Sequence, residues 1–334
     1  MTDRATAIAA FLAESGWGAA DRQPLAGDAS FRRYIRLVKP DSTAMLMDAP
    51  PPQENVRPFL AIARLLATLD FSAPRIRQAD EATGLLLLED FGDDTYTRLL
   101  ARGEDEEALY RLAVDVLIDL HRRFTPAMAP DTPPYDDKRL LDEAALLVDW
   151  YLPAVTGKPT PSAQRAAYLD LWRNLLPVAR AVPTSLVLRD YHVDNLMRLD
   201  GRAGPAACGL LDFQDAVLGP VTYDLVSLLE DSRREVTPAV VIAMRAHYLA
   251  AFPALDRAAF DASFAVLGAQ RHCKVVGIFT RLCRRDGKPR YLAHIPRLWR
   301  LIDHDLAHPA LAPVKNWLDH YIPRDLRVIP SEIA

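Results

Sequence analysis

The sequence predicts an α+β fold, with a small strand-rich amino-terminal lobe followed by a larger, mostly helical one. Three observations carry this. Up to about residue 90, short strand-like pieces mix with helical stretches; beyond "EDFGDD" (residues 89–94) the apolar residues recur at helical spacing. Inside the helical part, two short apolar runs, "SLVL" and "CGLL", each lead straight into acidic residues. That pattern is a common way to present polar chemistry at the end of a strand.

The elements follow in order. "SFRRYIRLV" (Ser30 to Val38) alternates, placing Phe31, Arg33, Ile35 and Leu37 on one face and Arg32, Tyr34 and Arg36 on the other. "PDST" then turns the chain, and "AMLMDA" (Ala44 to Ala49) is its partner strand. "ENVRPFLAIARLLATLD" (Glu54 to Asp70) has helical spacing from Phe59 onward. "APRIRQAD" follows, and "GLLLLED" is a buried strand ending in acids. In "EEALYRLAVDVLIDLHRRF", Leu109, Leu112, Ala113, Val116 and Leu120 share a helix face, with Asp115 and Asp119 turned away. The Pro-rich pieces at 126–134 and 153–161 read as loops. "TPAVVIAMRAHYLAAF" opens a helix with Thr237 as N-cap and Pro238 at the first helical position. The lobes divide into 1–90, with a hinge at about 89–93, and 94–334.

Composition sets the outer bounds. Half of the 334 residues are hydrophobic and a quarter charged, ordinary for a globular chain with an ample core. A net charge of −4 without a long Lys/Arg block argues against a general nucleic-acid binder, while leaving room for a local basic patch. Cys208, Cys273 and Cys283 form no CxxC pair and no zinc spacing, which points to a reducing compartment. The start carries Asp3 and Glu14 within too short an apolar run for a signal peptide, and no window reaches eighteen apolar residues. A cytoplasmic monomer that contacts neither membrane nor nucleic acid is therefore expected.

The chemistry is concentrated in "LRDYHVDNLM" (Leu188 to Met197) and "CGLLDFQDAVLGPVTYDLVSLL" (Cys208 to Leu229). If "SLVL" and "CGLLDF" are two short strands flanking a loop, Asp190, Asn195 and Asp212 come together at one end. Two carboxylates and an amide oxygen make a hard oxygen site that suits magnesium, whose remaining ligands come from water and phosphate. Phosphoryl transfer needs these parts: an Asp for the acceptor hydroxyl, and an Asn and a second Asp for the metal.

These motifs carry a resemblance. "RDYHVDNLM" is similar to the D-x-H-x-x-N catalytic loop of the aminoglycoside phosphotransferase and choline kinase superfamily. "LLDFQDAVLGPVTYDL" resembles its metal-binding segment, "LLLLEDFGD" its hinge, and "LAGDASFRRYIRL" its phosphate-covering loop. Within it, the wording of "GDASFRRYIRL" and "DFQDAVLGPVTYDLVSLLEDSRREV" most resembles the bacterial anomeric N-acetylmuramate/N-acetylglucosamine kinases of cell-wall recycling. The resemblance implies a two-lobed, protein-kinase-like fold. It also implies ATP- and Mg2+-dependent phosphorylation of an amino sugar at its C1 hydroxyl. Asp190 would then act on the acceptor hydroxyl, Asn195 and Asp212 would bind magnesium, Glu89 and Phe91 would meet adenine through their backbone, and Ser30 and Phe31 would cover the phosphates.

The sequence also departs from that pattern. Where kinases carry a lysine on the third strand, this chain has Met47, leaving Glu54 without its usual partner. A cation from the neighbouring strand (Arg32, Arg33 or Arg36) could serve instead, as could magnesium with the backbone amides after Gly27. A non-catalytic, nucleotide-binding module is a third explanation. Gln214 stands where many kinases have Gly, and Leu188 where relatives often have His, so bracing of the loop falls to His192 and to Asp224, whose carboxylate can accept loop N–H groups. Asp215 is a turn acid or supports the metal residues, and Asp194 reads as solvated.

For the acceptor, Arg271, Lys274, Arg281 and Arg284 fall near one helical face. They form either a cationic wall for an anionic substrate or an ordinary solvated face. His272 and Tyr291 could bond sugar hydroxyls, while Trp150 and Tyr151 read as core aromatics. Choline, homoserine or an aminoglycoside remain alternative acceptors for the same apparatus.

Overall fold

The computed structural model describes residues 3–25, 31–129 and 131–331. Helix α1 (Arg4–Glu14) precedes strand β1 (Asp21–Pro24), and the expected hairpin follows as β2 (Arg33–Lys39) and β3 (Ser42–Asp48). Lys39 pairs with Ser42, so Pro40 and Asp41 alone make the turn, two residues tighter than "PDST". Helix α2 (Arg57–Thr68), β4 (Ile76–Asp80) and β5 (Leu85–Leu88) come next. The five strands form one antiparallel sheet in the order β1-β2-β3-β5-β4. All four leucines of β5 are buried, as an apolar run without alternation requires. On one face of the sheet Phe11 and Leu12 of α1 pack with Trp17, Leu37, Leu46, Leu85 and Leu87.

The helical part begins with α3 (Tyr96–Ala101) and α4 (Glu106–Arg123). Leu109, Ala113, Val116 and Leu120 are buried, and Asp119 turns outward to pair with Arg123 at 2.9 Å. Helix α5 (Asp137–Leu146) continues through a π-helical turn, Leu147–Tyr151, into α6 (Leu152–Thr156). The Pro-rich loop expected from residue 153 therefore begins later, since Pro153 lies in the first turn of α6.

The remaining elements are α7 (Ser162–Ala179), β6 (Thr184–Val187), β7 (Leu196–Arg198), β8 (Cys208–Leu210) and β9 (Val217–Pro220). After them come α8 (Thr222–Leu229), α9 (Pro238–Ala251), α10 (Arg257–Arg284), α11 (Ile295–Asp305) and α12 (Ala312–Tyr321). Both apolar runs are strands, but they do not pair with each other. β6 pairs with β9 and β7 with β8, each antiparallel.

By contacts the chain forms two compact units, Met1–Arg123 with Val193–Ala216, and Phe124–His192 with Val217–Ala334. The first holds the sheet, α1 to α4 and the β7–β8 ladder. The second holds the β6–β9 ladder and the helices from α5 on, with α10 at its core. Gly277 allows α10 to lie against α5, because a Cβ there would stand 2.3 Å from the Leu146 backbone. The sequence boundary at residue 90 is a different cut, just past β5.

Candidate active site

In the second unit, β6 delivers Leu188, Arg189 and Asp190. Arg189 adopts φ +71°, a left-handed conformation that a bulky residue takes only when its surroundings hold it there. Asp224, in the first turn of α8 and fully buried, provides that hold. Its Oδ2 accepts the Leu188 N–H at 2.6 Å and its Oδ1 the Arg189 N–H at 2.9 Å. This is the bracing expected of Asp224 once Leu188 replaces a histidine.

Burial pushes the Asp224 carboxyl from its ordinary 3.8 up to about 7, with the two N–H groups pulling the other way. The folded protein therefore holds a proton there that the unfolded chain releases near pH 4. The resulting stabilisation is complete below about pH 4 and lost as pH rises through about 7. The melting temperature of the wild type relative to Asp224→Asn should thus fall between about pH 4.5 and about pH 7.5. A difference that stays flat in thermal melts at both pH values would contradict this.

Asp190 sits among cations. Burial works to raise its carboxyl, but Lys274 and Arg271, with Arg189, outweigh it and hold it below the usual carboxylate range. His192 is buried, its Nε2 lies 3.2 Å from Arg233 Nη1, and burial pushes its imidazole down. A neutral ring that accepts from Arg233 suits a bracing role.

The basic face of α10 is not solvated at its Arg271–Lys274 end. Arg271, His272 and Lys274 are all buried. Arg271 donates to Ser227 Oγ at 2.5 Å, and Lys274 Nζ lies 3.1 Å from Glu143 Oε1 and 3.3 Å from the Tyr223 hydroxyl. Glu143 also accepts from Arg189 and from the Tyr135 hydroxyl. Glu143 escaped the sequence reading; its one signal was an acid placed directly before the apolar run "AALLV".

His272 faces elsewhere. Its Nδ1 is 2.9 Å from Asp305 Oδ2 and its Nε2 is 3.2 Å from the Glu230 carbonyl. Among the described residues this trio is the one group with metal-ligand spacing. With Nδ1 beside the Asp305 carboxyl and Nε2 beside the Glu230 carbonyl, however, it is better described as a buried hydrogen-bonded network. Gly268 leaves room for it, since a Cβ there would stand 2.8 Å from Asp305 Oδ2. Arg281 is half-buried further along α10 beside Arg285, and burial pushes its guanidinium down. Tyr291 stacks on Phe279. The Tyr151 hydroxyl bonds the carbonyls of Leu326 and Val328, as expected of a core aromatic.

In the first unit, Asn195 directly precedes β7 and Asp212 lies two residues past β8. The Leu196↔Leu210 pairing, extended by the Leu211 N–H to Asn195 C=O bond at 3.0 Å, brings both residues to the same end of the ladder. Asp212 holds φ +57°, again left-handed. Its Oδ1 accepts from Gln214 Nε2 at 2.8 Å and lies 3.8 Å from Arg32 Nη2. An amide oxygen and a carboxylate at one end of a ladder fit a hard divalent cation such as magnesium.

Arg32 also stands 3.5 Å, through Nε, from Glu54 Oε2, and Glu54 Oε1 accepts the Phe31 N–H at 3.2 Å. Glu54 thus has a basic neighbour without any lysine on β3. Met47 is fully buried and pairs with Tyr34, which burial pushes up to about 12. The other two arginines point elsewhere, Arg33 to Asp48 at 2.8 Å and Arg36 to Asp90, Asp93 and the Gly92 carbonyl. Phe31 is exposed; Ser30 and Gly27 lie outside the described residues.

At the hinge, the Glu89 side chain is occupied by Arg75 and by Arg202 at 2.5 Å, and its N–H bonds the Arg75 carbonyl. Arg202 also lies over the Phe91 ring at 5.4 Å, a role that no sequence signal marked. Asp194 is not simply solvated, since it accepts from the Thr97 hydroxyl.

Comparison with known proteins places this geometry in context. A family model described as "Phosphotransferase enzyme family" matches residues 21–260. The N-acetylmuramate/N-acetylglucosamine kinase of Caulobacter vibrioides is 40% identical, covering 98% of this chain and 99% of the relative. The protein of that name from Pseudomonas putida is 39% identical over 90% of this chain and 88% of its own. Among solved structures, a choline kinase from Streptococcus pneumoniae superposes with a TM-score of 0.61 at 12% identity, covering 91% of this chain and 99% of that one. At that identity the likeness concerns the fold.

Proposed function

Because the chain belongs to the phosphotransferase enzyme family, we propose that it is an ATP-dependent kinase that phosphorylates the C1 hydroxyl of N-acetylmuramate and N-acetylglucosamine. The observation that carries the reading is that Asn195 and Asp212 lie at one end of the β7–β8 ladder, with Asp190 five residues upstream of Asn195. The choice of acceptor rests on relatives that match from end to end.

Asp190 orients the C1 hydroxyl and accepts its proton as the oxygen attacks the γ-phosphoryl group and ADP leaves. An anomeric hydroxyl is more acidic than an ordinary alcohol, so a carboxylate held below the usual range by Lys274 and Arg271 is basic enough. Asn195 and Asp212 would hold magnesium, which would neutralise phosphate charge. Arg32 supplies a fixed cation toward the same phosphates, and this weighs against a non-catalytic nucleotide-binding module. The backbone at Glu89 and Phe91 meets the adenine. No helix among the described residues is long and apolar enough to cross a membrane.

The test is ³¹P NMR of the protein with ATP, magnesium and a panel of hydroxyl acceptors. The expected product forms from the two N-acetylated sugars, lacks a reducing end and hydrolyses in acid. A product that still reduces would move the phosphate to another hydroxyl. Turnover of choline or an aminoglycoside alone would replace the acceptor.

A further inference from the structure

Arg189 is an improbable residue for its place. It is bulky, it holds φ +71°, and it immediately precedes the proposed proton acceptor. Glycine would adopt that backbone without strain, so the arginine side chain must return something for the conformation it imposes. Its guanidinium, 5.8 Å from the Tyr135 ring centroid, pairs with Glu143 of α5.

Glu143 is itself buried and gathers three partners: Arg189, Lys274 Nζ from α10 at 3.1 Å, and the Tyr135 hydroxyl. Tyr223 closes the group from α8, with its hydroxyl 3.3 Å from Lys274 and its ring edge-on to Tyr135 at 5.0 Å. Burial alone would raise the Glu143 carboxyl, yet Lys274 and Arg189 hold it below its usual range, so it stays ionised. One carboxylate therefore ties the residue before Asp190 to two helices. It also neutralises part of the positive charge that Lys274 and Arg189 bring to Asp190.

We propose that Arg189 and Glu143 are positioning residues for phosphoryl transfer: Glu143 anchors the Arg189 guanidinium and so fixes the orientation of Asp190 toward the acceptor hydroxyl. This rests on the kinase reading and deepens it. Asp224 holds the backbone of the same loop through its N–H groups, whereas Glu143 holds it through a side chain. Removing the anchor leaves the Asp224 bonds in place.

The decisive variant is Arg189→Gly, because glycine accepts the left-handed backbone and keeps the loop N–H bonds. Expected are an unchanged or raised melting temperature, a KM for ATP within about twofold of wild type, and a kcat lower by about tenfold or more. Arg189→Lys, which retains a cation for Glu143, should recover part of the loss, and Glu143→Gln should lower kcat in the same way, with a lower melting temperature because Arg189 and Lys274 lose their buried counter-charge. Wild-type kcat in Arg189→Gly overturns the proposal. So does a kcat that falls only in step with the melting temperature and is not recovered by lysine, since the arginine would then be a structural tie. Absence of turnover in the wild type with every acceptor removes the kinase reading and this inference with it, whereas wild-type turnover with unaffected variants removes this inference alone.

Discussion

Asp190→Asn should lower kcat by about 10²- to 10⁴-fold while nucleotide affinity stays close to wild type. That range is typical for loss of a positioned general base. Asparagine keeps the size of the side chain and one oxygen acceptor, so the loop bonds from Leu188 and Arg189 to Asp224 are untouched. What it cannot do is take the proton. Lys274 and Arg271 hold the Asp190 carboxyl below the usual range, so the wild-type residue is ionised throughout neutral pH and contributes no rate limb there. Single-turnover rates with a saturating acceptor, beside calorimetric titration with ATP, separate the two effects. A variant that keeps its rate within about tenfold would move the proton-accepting role to another group.

The motifs were legible in the sequence because strand and loop chemistry both leave local marks. An apolar run of four to six residues ending in an acid has few readings, and at 184–190 and 208–212 it marked two strands, although β6 closes at Val187 and β8 at Leu210, two residues short of Asp212. The pairing was not legible. β7 is three residues long and β9 contains Gly219 and Pro220, so neither shows the alternation that identifies a half-buried strand. β1 was invisible for a related reason: all four of its residues are exposed at the sheet edge, where no periodic apolar face is required.

Side-chain partnerships were legible only in part. Asp224 could be named from its place early in the helix after the second acidic motif, although the N–H groups it meets, those of Leu188 and Arg189, are remote in sequence. The placement of Arg271, His272 and Lys274 could not. Helical spacing groups residues by face but does not say that neighbouring helices cover the face, and α10 is enclosed along its middle turns. Two residues apart on that helix, His272 and Lys274 serve different networks, one with Asp305 and one with Glu143.

The replacement for the missing lysine is the point on which the amino-terminal unit can be tested most sharply. Arg32→Met is expected to lower kcat/KM for ATP by roughly 30-fold or more, with Arg33→Met and Arg36→Met much closer to wild type. The three arginines lie within five residues, yet only Arg32 stands beside Asp212, at 3.8 Å. Arg33 turns to the opposite face and pairs with Asp48, and Arg36 is spent on Asp90 and Asp93. A unit-charge pair at about 4 Å is worth roughly 4 kcal/mol at an effective dielectric of 20. Half of that, allowing for partial exposure and screening, corresponds to roughly 30-fold. Glu54 holds the guanidinium in place, so Glu54→Gln should reproduce part of the loss.

Strand register adds a reciprocal test. Tyr34 pairs with Met47, and Arg32 lies two residues before Tyr34, on the same face of the sheet. A lysine at 47 therefore presents its ammonium on the face that Arg32 serves. Met47→Lys in the Arg32→Met background should restore part of the ATP affinity, whereas Met47→Lys alone should lower stability, because it buries a second cation beside the first. If Arg32→Met leaves the ATP kinetics unchanged, the phosphate charge is met elsewhere and Arg32 does no more than join Glu54 to Asp212.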